Sequence, residues 1–142
     1  MSKYRIQTFI IFGHFSEDLH SIGQFLQEGS NVIFETFLDV KNSGASYILY
    51  NDKVDDRFDY LDGMDMDYIN HVAFEATLKA HSQKFPILRL SIPALNEVNF
   101  GQLFYFYEFS CYLSAKILGV NPFDQPGVER YKQYMFHALG KK

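Results

Sequence analysis

YINHVAFEATLKAHSQKFPILRLSIP, residues 68–93, joins a helix pattern to a strand pattern and indicates the fold class. In its first part apolar side chains recur every three or four positions, which predicts a helix from Tyr68 to Gln83. Phe85–Pro93 is a short apolar run typical of a buried strand. A strand that follows a helix of this length indicates an α/β fold with parallel neighbouring strands.

The residues ahead of this segment predict one more helix and two more strands. Ser16–Gly29 has apolar residues at helical spacing, a serine that can cap the helix and a glycine that ends it. Asn31–Val40 is rich in β-forming residues and predicts a strand, and Ala45–Tyr50 predicts a second strand that would pair with it. The acidic, polar stretch Asn51–Asp67 predicts an exposed connection.

Two helices are predicted downstream. Asn99–Gly119 predicts a long helix that is apolar on most of its surface, and such a helix needs cover on several sides. In a chain this small, much of that cover would come from another subunit or from further sequence. Pro126 suits the first position of a helix, and Asp124 places a carboxylate at its positive end, which predicts a last helix that runs to Gly140.

Composition is that of one ordinary domain of 142 residues, of which 47% are hydrophobic and 18% aromatic. The net charge of −4 argues against a general nucleic-acid-binding surface. No apolar run is a convincing membrane span, so we expect a cytoplasmic protein without a membrane partner. The single cysteine, Cys111, is flanked by apolar residues and is interpreted as a packed thiol rather than a nucleophile.

Metal and nucleotide sites are not predicted. The five histidines are scattered, without the spacing of zinc ligands. Asp62, Asp65 and Asp67 do not match a calcium loop and are better explained as carboxylates that complement the dipole of the next helix. No glycine-rich phosphate loop occurs. We therefore expect no cofactor and no metal.

Three polar side chains are candidates for a binding or catalytic site. Gln125 and Lys132 are seven residues apart, so they fall on nearly the same side of the last helix, two turns apart. An amide and an ammonium on one face suit a polyhydroxy or phosphorylated ligand, although a solvated surface helix has the same pattern. His20 has an imidazole that can donate and accept protons near neutral pH, although a lone helix histidine is more often structural.

The motif FDQPGVERYK (Phe123–Lys132), preceded by Ala115, Ile117 and Leu118, resembles the C-terminal motif of phosphoglucose isomerase. DLHSIGQFLQEG, IFET, AFEATLKAH and SIPALNEVNFGQLFYFYE precede it in the order found in bacterial members of that family. The resemblance implies that residues 16–142 are the C-terminal part of a phosphoglucose isomerase-like domain, after an atypical segment of residues 1–15. It implies a partial three-layer αβα, sugar-isomerase-like fold, in which a small, mostly parallel sheet is flanked by helices.

The same resemblance implies an aldose-ketose isomerase that interconverts glucose 6-phosphate and fructose 6-phosphate in glycolysis and gluconeogenesis, without metal. His20 matches the family histidine that assists ring opening, Lys132 the lysine that acts beside it, and Gln125 a glutamine that contacts substrate. The family's general base, an arginine that stabilises the enediolate and the phosphate-binding loops have no counterpart here. We therefore expect no isomerase activity from this chain alone.

The partners expected from the resemblance are a hexose 6-phosphate and either a second copy of the chain or a complementing N-terminal part. Two alternatives remain open. One is a non-catalytic sugar-phosphate-binding or interaction module, which the absent general base would explain. The other is a degenerate fragment that folds poorly, because the long apolar helix would lack cover.

Overall fold

A computed structural model describes residues 10–29, 31 and 34–141. It contains two compact units, one that includes the described residues up to Phe100 and one that begins at Gly101. Most of the predicted atypical segment, residues 1–15, lies outside the described residues, as do two residues of the strand predicted from Asn31.

A two-stranded parallel sheet lies at the centre of the first unit. β1 (Glu35–Val40) pairs with β2 (Ile87–Ile92) over six residues in register, and α2 (Met66–His81) lies between them in the chain. Parallel strands need a long crossover, which is usually a helix, and α2 meets that need. The predicted α/β fold with a small parallel sheet is thus confirmed. The helix and the second strand lie close to their predicted limits, whereas β1 begins at Glu35 and not at the predicted Asn31. No side chain of β2 is buried, which corrects the prediction of a buried strand there.

The predicted strand at Ala45–Tyr50 is wrong. Among the described residues, Ile48 makes only an isolated antiparallel bridge, to Asp65. The side chain of Asp65 accepts hydrogen bonds from Ser46 and from the backbone N–H of Tyr47, which holds this segment against the residues before α2. It therefore does not pair with β1, whose partner is β2.

The helix predicted as one element at Ser16–Gly29 is divided. Glu17–His20 forms a single 3₁₀ turn, and α1 (Ile22–Glu28) follows after a break at Ser21. Because the N–H and the hydroxyl of Ser21 both donate to the carbonyl of Asp18, three residues back, the α-helical ladder is interrupted there. Ser16 provides no side-chain cap, whereas Gly29 ends α1 as predicted.

The carboxylate of Asp65 caps α2 and Asp67 lies in its first turn, as the interpretation of the acidic cluster expects, whereas the carboxylate of Asp62 accepts from the N–H of Asn51. Asp65 is the N-cap residue, and its side chain accepts a hydrogen bond of 2.9 Å from the N–H of Asp67. Such a bond satisfies one of the donors that the first turn of a helix leaves unpaired. The hydrogen bond from Ser46 Oγ and that from Asp67 lower the pKa of Asp65 below its ordinary value.

The core of the first unit is built around a buried imidazole. His81, at the end of α2, is 1% exposed, and its Nδ1 lies 2.8 Å from Oε2 of Glu35 on β1. Phe15, Phe37 and Phe85 meet the ring nearly edge-on at centroid distances of 5.4–5.8 Å. A polar group can be buried in apolar surroundings when it is hydrogen-bonded, and the contact with Glu35 meets that condition.

A second buried group, Asp39, joins the two strands. Its carboxylate is 3% exposed and accepts from Lys41 Nζ at 2.6 Å, Arg89 Nη2 at 2.7 Å and Ser91 Oγ at 3.1 Å. Burial alone raises the pKa of Asp39, but the hydrogen bonds from Lys41 and Arg89 outweigh it and hold that pKa below its ordinary value. Arg89 also reaches Glu75 on α2 at 2.6 Å, which ties the helix to the sheet.

The second unit contains most of α3 (Glu97–Leu118) and all of α4 (Pro126–Ala138). Between them Gly119 turns the chain with a left-handed φ of +69°, which glycine adopts without steric strain. Pro126 opens α4, as predicted. The side chains along α3 confirm a helix that is apolar on most of its surface, and many stay exposed: Phe104, Tyr105, Phe106, Tyr107, Phe109, Leu113, Ile117 and Leu118.

Cys111 is exposed, so the prediction of a packed thiol is wrong. The flanking rings of Phe109 and Tyr112 stack on each other with their centroids 6.1 Å apart. They do not enclose the thiol, because this part of α3 keeps its surface exposed.

Candidate functional site

The start of α4 presents the first candidate, Gln125. Its carbonyl accepts from the N–H groups of Val128 and Glu129 at 2.9 and 3.0 Å, which fixes the first turn of the helix. Its side chain makes no capping hydrogen bond and is exposed. The amide is thus available to a ligand at the mouth of the helix.

Lys132 follows two turns later on the same helix. Its Nζ lies 2.7 Å from Oε1 of Glu129, and its side chain is 45% exposed. An ammonium has three donors, so the pair with Glu129 leaves donors for a further acceptor. Gln125, as the N-cap residue, and Lys132 thus belong to one helical segment, in which the ammonium pairs with the carboxylate of Glu129.

Lys132→Gln is expected to change the free energy of unfolding by less than about 0.5 kcal/mol, because an exposed ion pair three residues apart contributes little. Urea unfolding followed by circular dichroism measures this change. Tyr134→Gln, an exposed change on the same helix, is the matched control. If the free energy of unfolding fell several times more in Lys132→Gln than in the control, Lys132 would be needed to stabilise the fold.

His20 belongs to the first unit, where it ends the 3₁₀ turn that precedes α1. It is exposed, and its side chain makes no hydrogen bond or ion pair with any other residue that the structure describes. Its neighbour Asp18 instead organises the turn, since its carboxylate accepts from the N–H of His14 at 2.6 Å. The imidazole of His20 is thus held on an ordered turn and is exposed there.

A groove next to this turn was not predicted from the sequence. It has a volume of about 280 Å³ and lies between α1 and α2 within the first unit. Nε2 of Gln27 is buried there without a hydrogen-bond partner among the described residues. Its walls come from the 3₁₀ turn, from α1 and from α2, which is far from both in the chain: Leu19, Gly23, Gln24, Gln27, Ala76, Thr77, Ala80 and His81.

Metal coordination has no support in the part of the chain that the structure describes. There, no group of three histidine, cysteine or acidic side chains lies close enough together to hold an ion. None of the helices in the same part combines the length and apolar character that crossing a bilayer requires.

Four helices and a two-stranded parallel sheet make the described chain an α/β protein, as expected of a partial sugar-isomerase-like domain. Comparison with known sequences identifies the relatives. The chain is 52% identical over 129 residues to a glucose-6-phosphate isomerase of Clostridioides difficile (strain 630), a match that covers 89% of this chain and 29% of that enzyme. No protein-family model matches the chain.

Glucose-6-phosphate isomerases of Bacillus thuringiensis (strain Al Hakam) and Bacillus cereus (strain B4264) are each 50% identical over 130 residues. These matches cover 90% of this chain, which spans 29% of the length of either relative. The chain is therefore a homologue of part of the glucose-6-phosphate isomerases, and the resemblance inferred from the motifs is confirmed.

Proposed function

We propose that residues 16–142 are the C-terminal part of a glucose-6-phosphate isomerase-like domain and contribute ring-opening residues to a site that further polypeptide completes. The observation that carries this proposal is the 52% identity to the C. difficile enzyme over 89% of the chain. The exposed side chains of His20 and Gln125 and the half-exposed side chain of Lys132 support it, since substrate-contacting groups must be reachable.

Ring opening of a hexose 6-phosphate requires two proton movements. The hydroxyl on the anomeric carbon loses its proton, and the ring oxygen gains one as its bond to that carbon breaks. An imidazole nitrogen can take the proton of the anomeric hydroxyl and pass it to the ring oxygen on the same carbon, because an imidazole both accepts and donates protons near neutral pH. His20 is proposed for this role.

Lys132 and Gln125 would position the sugar for that step. The ammonium of Lys132, held by Glu129 at 2.7 Å, would stabilise negative charge that develops on the sugar oxygens. The amide of Gln125 can donate to and accept from sugar hydroxyls. An ion pair three residues back keeps the ammonium directed along one face of α4, so little ordering is needed when a sugar binds.

The later steps need groups that this chain does not contribute. In the family, a glutamate transfers the proton between the first two carbons, an arginine stabilises the enediolate, and separate loops hold the phosphate. Their absence leads us to propose that the partner is a complementing N-terminal part or a second copy, and that the chain is inactive alone. We also propose that the substrate is a hexose 6-phosphate and that the protein is cytoplasmic. Its role would be in glycolysis and gluconeogenesis.

Complementation tests this function. The reagent is the C. difficile enzyme truncated before its matched segment, here called the companion polypeptide. Conversion of fructose 6-phosphate is followed by coupling glucose 6-phosphate formation to its oxidation. We expect no turnover from either polypeptide alone and clear turnover when they are co-expressed.

Two results would contradict the proposal. Turnover by the purified 142-residue chain alone would mean that it contains a general base. If the two polypeptides form a purified complex that has no turnover, the proposed isomerase function is wrong. The companion polypeptide co-expressed with its own matched segment is the positive control.

A non-catalytic sugar-phosphate-binding or interaction module remains the second candidate. The observation in its favour is that Gln125 and Lys132 lie on one helix of one unit, and hence need no partner to meet a ligand. Calorimetry of the chain with fructose 6-phosphate distinguishes the two, because the module would bind without the companion polypeptide and without turnover.

A further inference from the structure

The 3₁₀ turn that carries His20 is attached to a short helix. Only Ser21 separates that turn from α1, which has seven residues. Helices this short are marginal in water by themselves, so contacts with the rest of the protein must stabilise them. The contacts that hold α1 in place therefore also determine where the imidazole of His20 lies.

Apolar packing holds α1 only in part. Gly23 and Leu26 are its buried residues, and the groove of about 280 Å³ lies between this helix and α2. At that groove Nε2 of Gln27 is buried without a hydrogen-bond partner among the described residues, so nothing described there offsets the cost of its desolvation. Packing on this side is incomplete, and α1 needs a directional contact elsewhere.

An anchor ahead of the turn is provided by Phe15. Its ring meets that of His81 edge-on at 5.4 Å and lies 6.4 Å from the ring of Phe37. The carboxylate of Asp18 then accepts from the N–H of His14 at 2.6 Å, which orders the turn itself. The beginning of the segment is thus fixed to the core of the first unit.

Lys84 provides an anchor at the other end of α1. It lies half-buried between α2 and β2, and its Nζ donates to the carbonyls of Gln27 at 2.6 Å and of Gly29 at 2.9 Å. Carbonyl groups in the last turn of a helix lack partners within the helix and form the negative end of its dipole. An ammonium at this place pairs with these acceptors and is favoured by the dipole.

Resting on the proposed function, we propose that Lys84 is a positioning residue for ring opening, which acts on His20 by clamping the end of α1. Phe15 and Lys84 hold the chain on both sides of the imidazole. An acid–base group must stay within hydrogen-bond reach of the proton that it transfers, and a misplacement of about 1 Å can cost about 10²-fold in rate. Loss of the clamp should therefore lower kcat more than it weakens substrate binding.

Lys84→Met tests the clamp, because methionine keeps an unbranched apolar stem but has no ammonium. In the complex with the companion polypeptide we expect kcat for fructose 6-phosphate to fall about tenfold to hundredfold, while KM stays within about twofold. Lys84→Arg should recover most of that loss, since a guanidinium can donate to the same two carbonyls. Lys79→Met, at an exposed lysine in the last turn of α2, is the matched control and should leave kcat within about twofold.

A double-mutant cycle separates positioning from a general loss of stability. If Lys84 acts through His20, Lys84→Met should change kcat by less than about twofold in a chain that already carries His20→Ala. A residue that only stabilises the fold would lower kcat by the same factor in both backgrounds. Equal losses in the two backgrounds, or an unchanged kcat in Lys84→Met, would overturn the proposal.

Backbone hydrogen exchange of the 142-residue chain by itself provides a readout that needs no turnover. The amides of residues 25–29 should exchange at least about tenfold faster in Lys84→Met than in Lys79→Met, and those of α2 should exchange alike in the two. Equal exchange at residues 25–29 would mean that Lys84 does not clamp α1, which also overturns the proposal.

Failure of this inference and failure of the isomerase function give different results. If the complex of the unchanged chain has no turnover, the proposed function is wrong, and the exchange rates still show whether Lys84 holds α1. If that complex turns over and Lys84→Met leaves its kcat unchanged, the function stands and the role of Lys84 is wrong.

Discussion

Replacing His20 by alanine in the complemented isomerase is expected to lower kcat for fructose 6-phosphate by about 10²–10⁴-fold, the usual contribution of a positioned acid–base group. His20 is exposed at the end of an ordered 3₁₀ turn. Among the described residues its side chain makes no hydrogen bond or ion pair that would stabilise the fold. Its removal should therefore affect chemistry and leave folding unchanged. Coupled turnover measurements on the co-expressed complex give kcat, and thermal unfolding checks the fold.

The control for this experiment is His14→Ala. His14 is also exposed and lies six residues earlier in the chain, so it matches His20 in residue type and exposure, although its Nδ1 lies 3.3 Å from Glu17. We expect kcat to stay within about twofold of the unchanged complex in this control. An unchanged kcat for His20→Ala, in a complex that is shown to form, would assign ring opening to another group.

The elements that could be predicted are those with a local cause. Pro126 begins α4 because its ring fixes a helical φ, and Asp65 caps α2 because its carboxylate can reach the N–H two residues ahead. The order of β1, α2 and β2 followed from pattern and length. In each case the residues that determine the element lie within it or directly beside it.

The errors arise where distant residues compete with local preference. Ala45–Tyr50 has the composition of a strand, but Asp65, about 20 residues away, accepts from Ser46 and Tyr47 and holds the segment near α2. Ser21 sits in a helical pattern, yet its bonds to Asp18 divide the helix. The periodicity of apolar residues in the sequence does not indicate these contacts.

The candidate site was predictable only in part. The spacing of Gln125 and Lys132 follows from helix geometry, while the proposed roles of both, and of His20, come from the resemblance. The groove between α1 and α2 depends on how two separate helices pack, and the partnerless Nε2 of Gln27 within it depends on the same packing. No short motif marks such a place in the sequence.

Buried polar pairs were the largest feature that the sequence did not indicate. His81 was one of five scattered histidines, and nothing in its neighbours identifies Glu35, 46 residues earlier, as its partner. Asp39 likewise reaches Arg89 across the sheet because β1 and β2 are in parallel register. These pairs form only when the chain folds and brings distant residues together. Removing one of them tests how much it stabilises the fold.

Asp39→Asn is expected to lower the free energy of unfolding by about 1–3 kcal/mol at neutral pH, because a neutral amide replaces the buried carboxylate that accepts from Lys41 and Arg89. The effect also depends on pH. The pKa of Asp39 is lower in the folded chain than the ordinary value of 3.8, so its stabilisation is fully present above that value and is lost as the pH falls through the lower, folded pKa. Stability of the unchanged chain should therefore decline below about pH 4, and less so in Asp39→Asn.

Urea unfolding at a series of pH values, followed by circular dichroism, measures both effects. Asp55→Asn is the matched control, since Asp55 is exposed and its change should leave the pH dependence as it is. Some acid sensitivity should remain in Asp39→Asn, because the pKa of Asp65 is also lowered by its hydrogen bonds to Ser46 and Asp67. If Asp39→Asn and Asp55→Asn unfold alike at neutral pH and on acidification, the carboxylate of Asp39 does not hold the two strands together.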